Sequence, residues 1–401
     1  MPPEHERQGQ RALSGIRVLS LEASVSGPHC SRILADMGAE VIKIEKPGEG
    51  DLIRQWDTAV RGLSSGYVWL NYNKRSMAID VKKSAGRQAV QKLAERVDVF
   101  IENFAPGVAE RLGLGAATLR ANHPRLIYCS ISGYGQDGPY RDVKAYDLLI
   151  QGEAGIIAST GSPDQPAKVS VPIADLAVSM YGVTAILTAL MQRERTGEGQ
   201  VIDVSMFESI LSWLAYFPHH YWHRGEQMER VGMRHHFMTP YGPYLASDGV
   251  YVNMAVATPQ DWDVFCRKVI ERPELLEDSR FHTSEKRRKN RAVLETMLEE
   301  IFRTRPSKEW LRRLEEARLP HGLVRGIAEV LAHPQVLSRK MIAQVESPVG
   351  PVPIIASPLH LSASSGRLDP IPLLGQDTDS ILRELGYTQQ QIEQFRLDAV
   401  I

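Results

Sequence analysis

Ile16-Arg17-Val18-Leu19-Ser20-Leu21 is a short apolar run rich in β-formers, and the twenty or so residues after it decide the fold. Ser26-Gly27-Pro28 is a stop-and-start signal, with proline at a plausible first helical position. His29–Met37 then reads as helix, and Gly38 supplies a C-terminal stop. Glu40-Val-Ile-Lys-Ile-Glu45 alternates and gives a second strand. Strand, helix and strand at this spacing predict a right-handed crossover, and hence a parallel sheet.

The alternation continues outward. Ser84–Arg96 reads as helix, Val97–Glu102 as strand, Thr118–Asn122 as a short helical turn and Leu126–Ile131 as strand. A long apolar helix from about Leu176 leads to another strand, Gln200–Met206. Such a series predicts an α/β fold, an open, mostly parallel Rossmann-like sheet covered by helices. The texture changes after about residue 210. Aromatics cluster (Trp213, Tyr216, Phe217, Tyr221, Trp222), Pro240–Asn253 reads as a hairpin turning at Asp248-Gly249, and Trp262–Glu316 is charged and mostly helical. We expect residues 13–210 to form a large domain, 211–330 a linker and smaller α+β domain, and 331–401 a return to the first. Pro348–Pro358 reads as linker or edge strand, and Thr388-x-x-Gln391 as a capping box opening a final helix.

Composition narrows the function. Of 401 residues 43% are hydrophobic and 24% charged, which is globular composition. With 47 Lys+Arg against 48 Asp+Glu there is no global field to draw nucleic acid or anionic lipid. Cys30, Cys129 and Cys266 lie far apart with no Cys-x-x-Cys pair, arguing against a disulfide scaffold or a thiolate zinc site. Met1–Gln10 is polar and reads as no signal peptide. Leu176–Met191 approaches transmembrane length, but Asp175 and Arg193-Glu194-Arg195 bound it and Ser179, Tyr181 and Thr184 dilute it. A buried helix of a soluble, cytoplasmic protein is the expectation.

Several patterns carry candidate chemistry. Gly133-Tyr-Gly-Gln-Asp-Gly138 matches G-x-G-x-x-G after a strand, but neither a helix nor an acidic strand end comes next, so a tight loop is the better reading. His219 and His223 share i, i+4 spacing, with His220, His235 and His236 nearby, but no carboxylate or thiolate completes a metal set. Asp175 stands in the first turn of the most apolar helix. It is either a helix cap or a carboxylate nucleophile. Cations recur near strand ends, where α/β sheets bind ligands: Lys46, Asn73-Lys74-Arg75-Ser76, Arg111 and Lys144.

In their order along the chain, these stretches resemble the family III coenzyme A transferases, which include formyl-CoA transferase, carnitine CoA-transferase, succinate-dependent dicarboxylate transferases and alpha-methylacyl-CoA racemase. The matching stretches are Leu13-Ser-Gly-Ile-Arg-Val-Leu19, Gly38-Ala-Glu-Val-Ile-Lys-Ile-Glu45, Asn73-Lys-Arg-Ser76, Glu102-Asn-Phe-x-Pro-Gly107, Gly133-Tyr-Gly-Gln-x-Gly-Pro139, Thr196-Gly-x-Gly-Gln200 and Pro372-Leu-Leu-Gly375. The resemblance implies a CoA-binding α/β domain, an inserted small domain and an interlocked homodimer, with an acyl-CoA thioester as substrate and no resident cofactor or metal.

It further implies that Asp175 is the nucleophile, forming an anhydride and then an aspartyl-CoA thioester. Lys46, Ile79–Lys82, Asn103, Phe104, Ala105, Arg111 and Lys144 match CoA-binding positions, and Val25 and Ser26 match the loop facing the thioester. Gly135 and Gln136, in the glycine loop, are candidates to support the acyl oxyanion, and Tyr146 is a further active-site position. Tyr146-Asp147 stands where racemases have His-Asp, which disfavours two-base racemisation. Ala23 and Val25 replace polar residues of formyl-CoA transferase, which argues against oxalate as acceptor. His235, with Arg234 beside it, matches a small-domain position of dicarboxylate-using relatives. The expected activity is CoA transfer from a succinyl-CoA-like donor to a dicarboxylate such as mesaconate, itaconate, malate or a glutarate. An acyl-CoA racemase is the enzymatic alternative, and a CoA-binding protein without catalysis the other.

Overall fold

The computed structural model describes residues 11–401, so the reading of Met1–Gln10 lies outside the described residues. The chain divides into two compact units. One comprises the chain up to Gly155 with Val169–Ala215 and Pro334–Ile401; the other comprises Ile156–Lys168 and Tyr216–His333.

The first unit is built on six parallel strands: β1 (Arg17–Leu21), β2 (Glu40–Glu45), β3 (Lys74–Ala78), β4 (Val99–Glu102), β5 (Ile127–Ser132) and β6 (Val201–Ser205). Their spatial order is β3-β2-β1-β4-β5-β6, with a topological switch between β1 and β4. Helices cover both faces, which explains the apolar runs: Leu19, Ile42, Met77, Phe100 and Tyr128 are buried in one cluster. Between β1 and β2 runs helix α1 (Ser26–Asp36), which starts two residues before Pro28 and is buried along its length.

β3 corrects part of the sequence reading. Asn73-Lys74-Arg75-Ser76 is not a cation-bearing approach to a strand but mostly the strand itself, paired with β2 from Val41↔Lys74 onward. Lys74 is buried beneath α1, where its Nζ donates to Glu22 Oε1 (2.8 Å), Pro28 O (2.9 Å) and Asn71 Oδ1 (3.1 Å). Lys43 Nζ lies 2.7 Å from Asp51 Oδ2 and 3.7 Å from Glu22 Oε1. Arg75 pairs with Glu40 and Glu384. Taking these charges out of water is costly unless each meets a countercharge, and here each does.

Further along lie α2 (Asp147–Glu153), α3 (Ile173–Thr196) and α4 (Met206–Ser212). α3 is the long apolar helix. Ala174, Ala177, Val178, Gly182, Val183, Ile186, Ala189 and Leu190 are buried on one face, while Met180, Tyr181 and Met191 are exposed on another. Gly182 lets α3 and α1 approach closely, since an added Cβ would stand a tight 3.1 Å from Cys30 Sγ. Only part of the helix is therefore covered within this chain, which refines the expectation of a wholly buried one.

In the second unit β7 (Tyr241–Leu245), β8 (Tyr251–Ala255) and β9 (His321–Leu323) form an antiparallel sheet. β7 and β8 turn through Gly249, whose φ of 79° favours glycine. Trp262, Phe265, Phe302 and Trp310 fill the core beside the sheet. Back in the first unit, the proline-rich stretch lies in a hairpin, β10 (Ile342–Val345) with β11 (Val352–Ile355). The last helix, α5 (Gln389–Leu397), opens on the Thr388–Gln391 capping box.

Candidate active site

Loops leaving the carboxyl ends of parallel strands diverge most at a topological switch, which makes a crevice there. Two cavities in the first unit occupy that edge, with Ala23 and Phe104 belonging to both. The first, about 280 Å³, is lined by the loops after β1, β4 and β5, by the segment entering α2, and by Asp175 of α3. The second, about 450 Å³, lies over the ends of β1, β2 and β3 and is lined by Lys46, Ile79 and Lys82 among others.

Asp175 does not cap its helix. Asp147 does: its Oδ1 accepts from Ala174 N (2.7 Å), while its Oδ2 accepts from Gln151 Nε2 (2.7 Å). This leaves Asp175 facing the first cavity, with Ser26 donating to its carboxyl through both hydroxyl and backbone N–H. Burial and then the nearby Asp147 push its pKa up to about 7, against the opposing pull of Ser26. No cation is bonded to it among the described residues. A carboxylate so held is poorly stabilised as an anion, and so is reactive once ionised.

Of the residues singled out in the sequence, Ser26, Asn103, Phe104, Ala105, Lys144, Tyr146 and Asp175 line the first cavity. Lys46, Ile79, Lys82 and Phe104 line the second. Arg111 lines neither, but it comes close to the first: a Cβ on Gly107 would lie 2.9 Å from Arg111 Nη1 and 3.3 Å from Arg141 Nη2. Gly107 sits at φ 79°, so two guanidinium groups close over a backbone only glycine adopts freely. Arg141, which also lines the first cavity, was missed by sequence reasoning; its one signal was a cation just beyond the glycine loop.

Other residues are turned elsewhere. Val25 is buried in a cluster with Ile53, Tyr67 and Val352. Gly135 N donates to Ser132 Oγ (2.9 Å) and Gln136 N to Asp203 Oδ2 (3.0 Å), so both N–H groups proposed for an oxyanion already have partners. Asn103 also looks inward: Oδ1 accepts from Ala23 N (2.9 Å), and Nδ2 donates to Ala23 O (2.8 Å) and Ser26 Oγ (3.1 Å). His235 belongs to the second unit, stacked on Tyr241 with ring centroids 5.0 Å apart. Its Nδ1 accepts from Phe237 N and Met238 N (both 3.1 Å), so the neutral ring carries its proton on Nε2. Burial and Arg291 lower its pKa.

Comparison with known proteins supplies the family. The family model for CoA-transferase family III matches residues 13–378. An acyl-CoA transferase of Fusarium pseudograminearum is 36% identical, over 98% of this chain and 89% of its own. The succinyl-CoA:glutarate CoA-transferase of Homo sapiens is 33% identical, over 96% of this chain and 88% of its own. Among solved structures, a CAIB/BAIF family protein from Brucella suis superposes with a TM-score of 0.83 at 36% identity, covering 94% of this chain and 100% of that one. A crevice at the switch point, a carboxyl free of countercharge within it and a family match over nearly the whole length converge: the chain belongs to the family III CoA-transferases.

Proposed function

We propose that this enzyme moves coenzyme A from a succinyl-CoA-like donor to a dicarboxylate acceptor of the glutarate class, with Asp175 as nucleophile. The observation that carries this is Asp175 itself, a carboxyl with neither capping duty nor bonded cation, on the wall of a cavity that shares Ala23 and Phe104 with its neighbour. The chemistry balances without proton transfer. An Asp175 oxygen attacks the donor carbonyl carbon; a C–O bond forms, the C–S bond breaks, and CoA leaves as thiolate. The thiolate attacks the Asp175 carbonyl of the anhydride, expelling the donor carboxylate and leaving an aspartyl-CoA thioester. An acceptor carboxylate attacks that thioester, and the returning thiolate takes the acceptor acyl group and frees Asp175. Water must be kept out, since an anhydride would hydrolyse.

Arg111, Arg141, Lys144, Lys46 and Lys82 supply positive charge for the CoA phosphates, while Phe104 and Ala105 line the path of the pantetheine arm. A racemase would need a second base opposite Asp175. The carboxyl that bears on Asp175, Asp147, has both oxygens engaged, which supports transfer over racemisation. We read the protein as a cytoplasmic homodimer whose chains interlock. In favour of a second copy is the apolar surface left uncovered on the first unit, including Leu148, Leu149, Met180, Met191, Leu211 and Trp213.

The test is incubation with succinyl-CoA and a panel of carboxylates, following new thioesters by mass spectrometry, and repeated with Asp175→Ala. Glutarate or a related dicarboxylate is expected to gain CoA, with loss of transfer in the variant. Normal transfer by Asp175→Ala would overturn the mechanism; exchange of an α-proton alone would favour the racemase.

A further inference from the structure

We propose that Asn103 is a positioning residue that acts on Asp175 through Ser26, rather than a CoA contact; this rests on Asp175 being the nucleophile. Asn103 comes directly after the last residue of β4, and its side chain reaches across to the loop after β1, gripping the backbone of Ala23 from both sides (2.9 and 2.8 Å). The remaining Nδ2 hydrogen goes to Ser26 Oγ at 3.1 Å. An amide nitrogen only donates, so the Ser26 oxygen must accept there, and its own proton points at another acceptor. The carboxyl of Asp175 is that acceptor. Replacing Asn103 would free the hydroxyl to turn.

The surrounding contacts show that this direction is built in. Ser179, one turn along α3 from Asp175, bridges Ser26 O (2.7 Å) and Asp175 O (2.6 Å). Gly27 packs so closely that a Cβ would lie 3.1 Å from Asn103 Cγ. Ser24 stands in the left-handed region at φ 62°, with its N–H held by Asp51 Oδ1 at 3.0 Å. Such a conformation persists only where its surroundings over-determine it.

The titration of Asp175 can therefore report on the relay. On the elements packed against α3 the titratable groups include Asp147 (α2), His29 and Cys30 (α1), Cys129 (β5), Asp203 (β6) and Glu208 (α4). Of these, Asp147 alone bears on Asp175. Arg141, Asp142, Lys144 and Tyr146 line the same cavity. None of them is among the hydrogen-bond partners of Asn103, which are Ala23 and Ser26.

The experiment is the pH profile of kcat/KM for CoA transfer from succinyl-CoA in wild type, Asn103→Ala, Ser26→Ala, the double variant and Asn103→Asp, with acyl-CoA-dependent labelling of Asp175 tracked by mass spectrometry. Ser26→Ala and Asn103→Ala should each move the acid limb upward by about half a unit or more. In both, kcat should fall about tenfold while KM for acyl-CoA stays within about threefold. The double variant should match Ser26→Ala alone, because the residues act in series. Asn103→Asp, which offers Ser26 a competing acceptor, should shift the limb furthest. A raised KM with an unmoved acid limb in Asn103→Ala would overturn the proposal and make Asn103 a CoA contact, as would additive effects in the double variant. If Asn103→Ala does not fold, Ser26→Ala decides alone: an unmoved limb overturns the relay. A wild-type enzyme that neither transfers CoA nor labels on Asp175 removes the transferase reading, and the relay with it. Transfer by wild type with an unmoved limb in the variants removes the relay only.

Discussion

Glu22 and Asp175 are both sheltered carboxyls of the first unit, and the unit treats them in opposite ways. Glu22, just after β1, is buried, which by itself would raise its pKa, but Lys74 and Lys43 outweigh burial and hold it below the usual range. Asp175 has the burial without the cations, and Asp147 adds to the rise. The contrast teaches how a fold separates structure from chemistry: a carboxyl matched with lysines stabilises the unit, whereas one deprived of them is kept in a state that reaction can relieve.

The sharpest way to break this contrast is to make the same carboxyl-to-amide change at both positions. Asp175→Asn should lower CoA transfer by at least about 10⁴-fold, since removing a covalent nucleophile leaves only binding and orientation. Glu22→Gln should cost about 3–5 kcal/mol of folding stability, because it strips a buried cluster of its countercharge. Denaturant unfolding at neutral pH measures the second. A Glu22→Gln protein as stable as wild type would erase the distinction.

Stability against pH gives a subtler test, with a definite sign. The folded-state pKa of Asp175 is about 7 against an ordinary value of 3.8. Between those values the folded chain holds a proton that the unfolded chain releases, so stability falls as pH rises through the window, and the loss is complete above pH 7. Asp175→Asn should therefore be more stable than wild type at pH 8, by about 1–3 kcal/mol after discounting for the open side of the cavity, with the gain gone near pH 4. Glu22 runs the other way: its contribution is present above its ordinary pKa of 4.5 and is lost as pH falls through the lowered folded value. Melting temperatures taken from acid to pH 8 would show the Asp175→Asn gap opening as pH rises toward 7, while the Glu22→Gln gap holds at neutral pH and closes only below the ordinary value of 4.5.

Much of the first unit was legible because its strands are local objects. Val18–Leu21 and Val41–Ile44 are apolar wherever they lie, and the glycine and proline punctuation between them announces a crossover. Asp175 was legible as a site because a carboxyl entering an apolar helix is conspicuous. What stayed hidden depends on partners distant in sequence. Nothing near Asp175 shows that Asp147 takes the capping bond to Ala174, which frees Asp175 from that duty. Lys74 reads as a surface cation until β3 pairs with β2 and its ammonium is seen against Glu22. Asn103 belongs to a ligand-binding motif by resemblance, yet its amide faces the loop after β1, a pairing that only the neighbouring of β1 and β4 creates.

The smallest predicted effects grade the cations around the crevice by what already neutralises them. Lys46 Nζ lies 2.7 Å from Glu49 Oε1, both exposed, a pair of the kind worth about 0–1 kcal/mol. To meet a phosphate Lys46 must leave Glu49, so little net attraction remains. Lys46→Ala should weaken CoA binding by no more than about threefold, and Glu49→Gln should tighten it slightly. Arg111 and Arg141 differ: their nitrogens converge over Gly107, and among the described residues the one carboxylate ion-paired with either is Asp142, 3.8 Å from Arg141 Nη1. Two guanidinium groups held together repel one another, and an anion between them relieves that repulsion. Arg141→Gln should weaken CoA binding about tenfold, an effect that shrinks as salt is raised. Calorimetric titration of CoA at two ionic strengths compares the pair with Lys46, and equal losses at both positions would show that prior neutralisation does not rank the cations of this crevice.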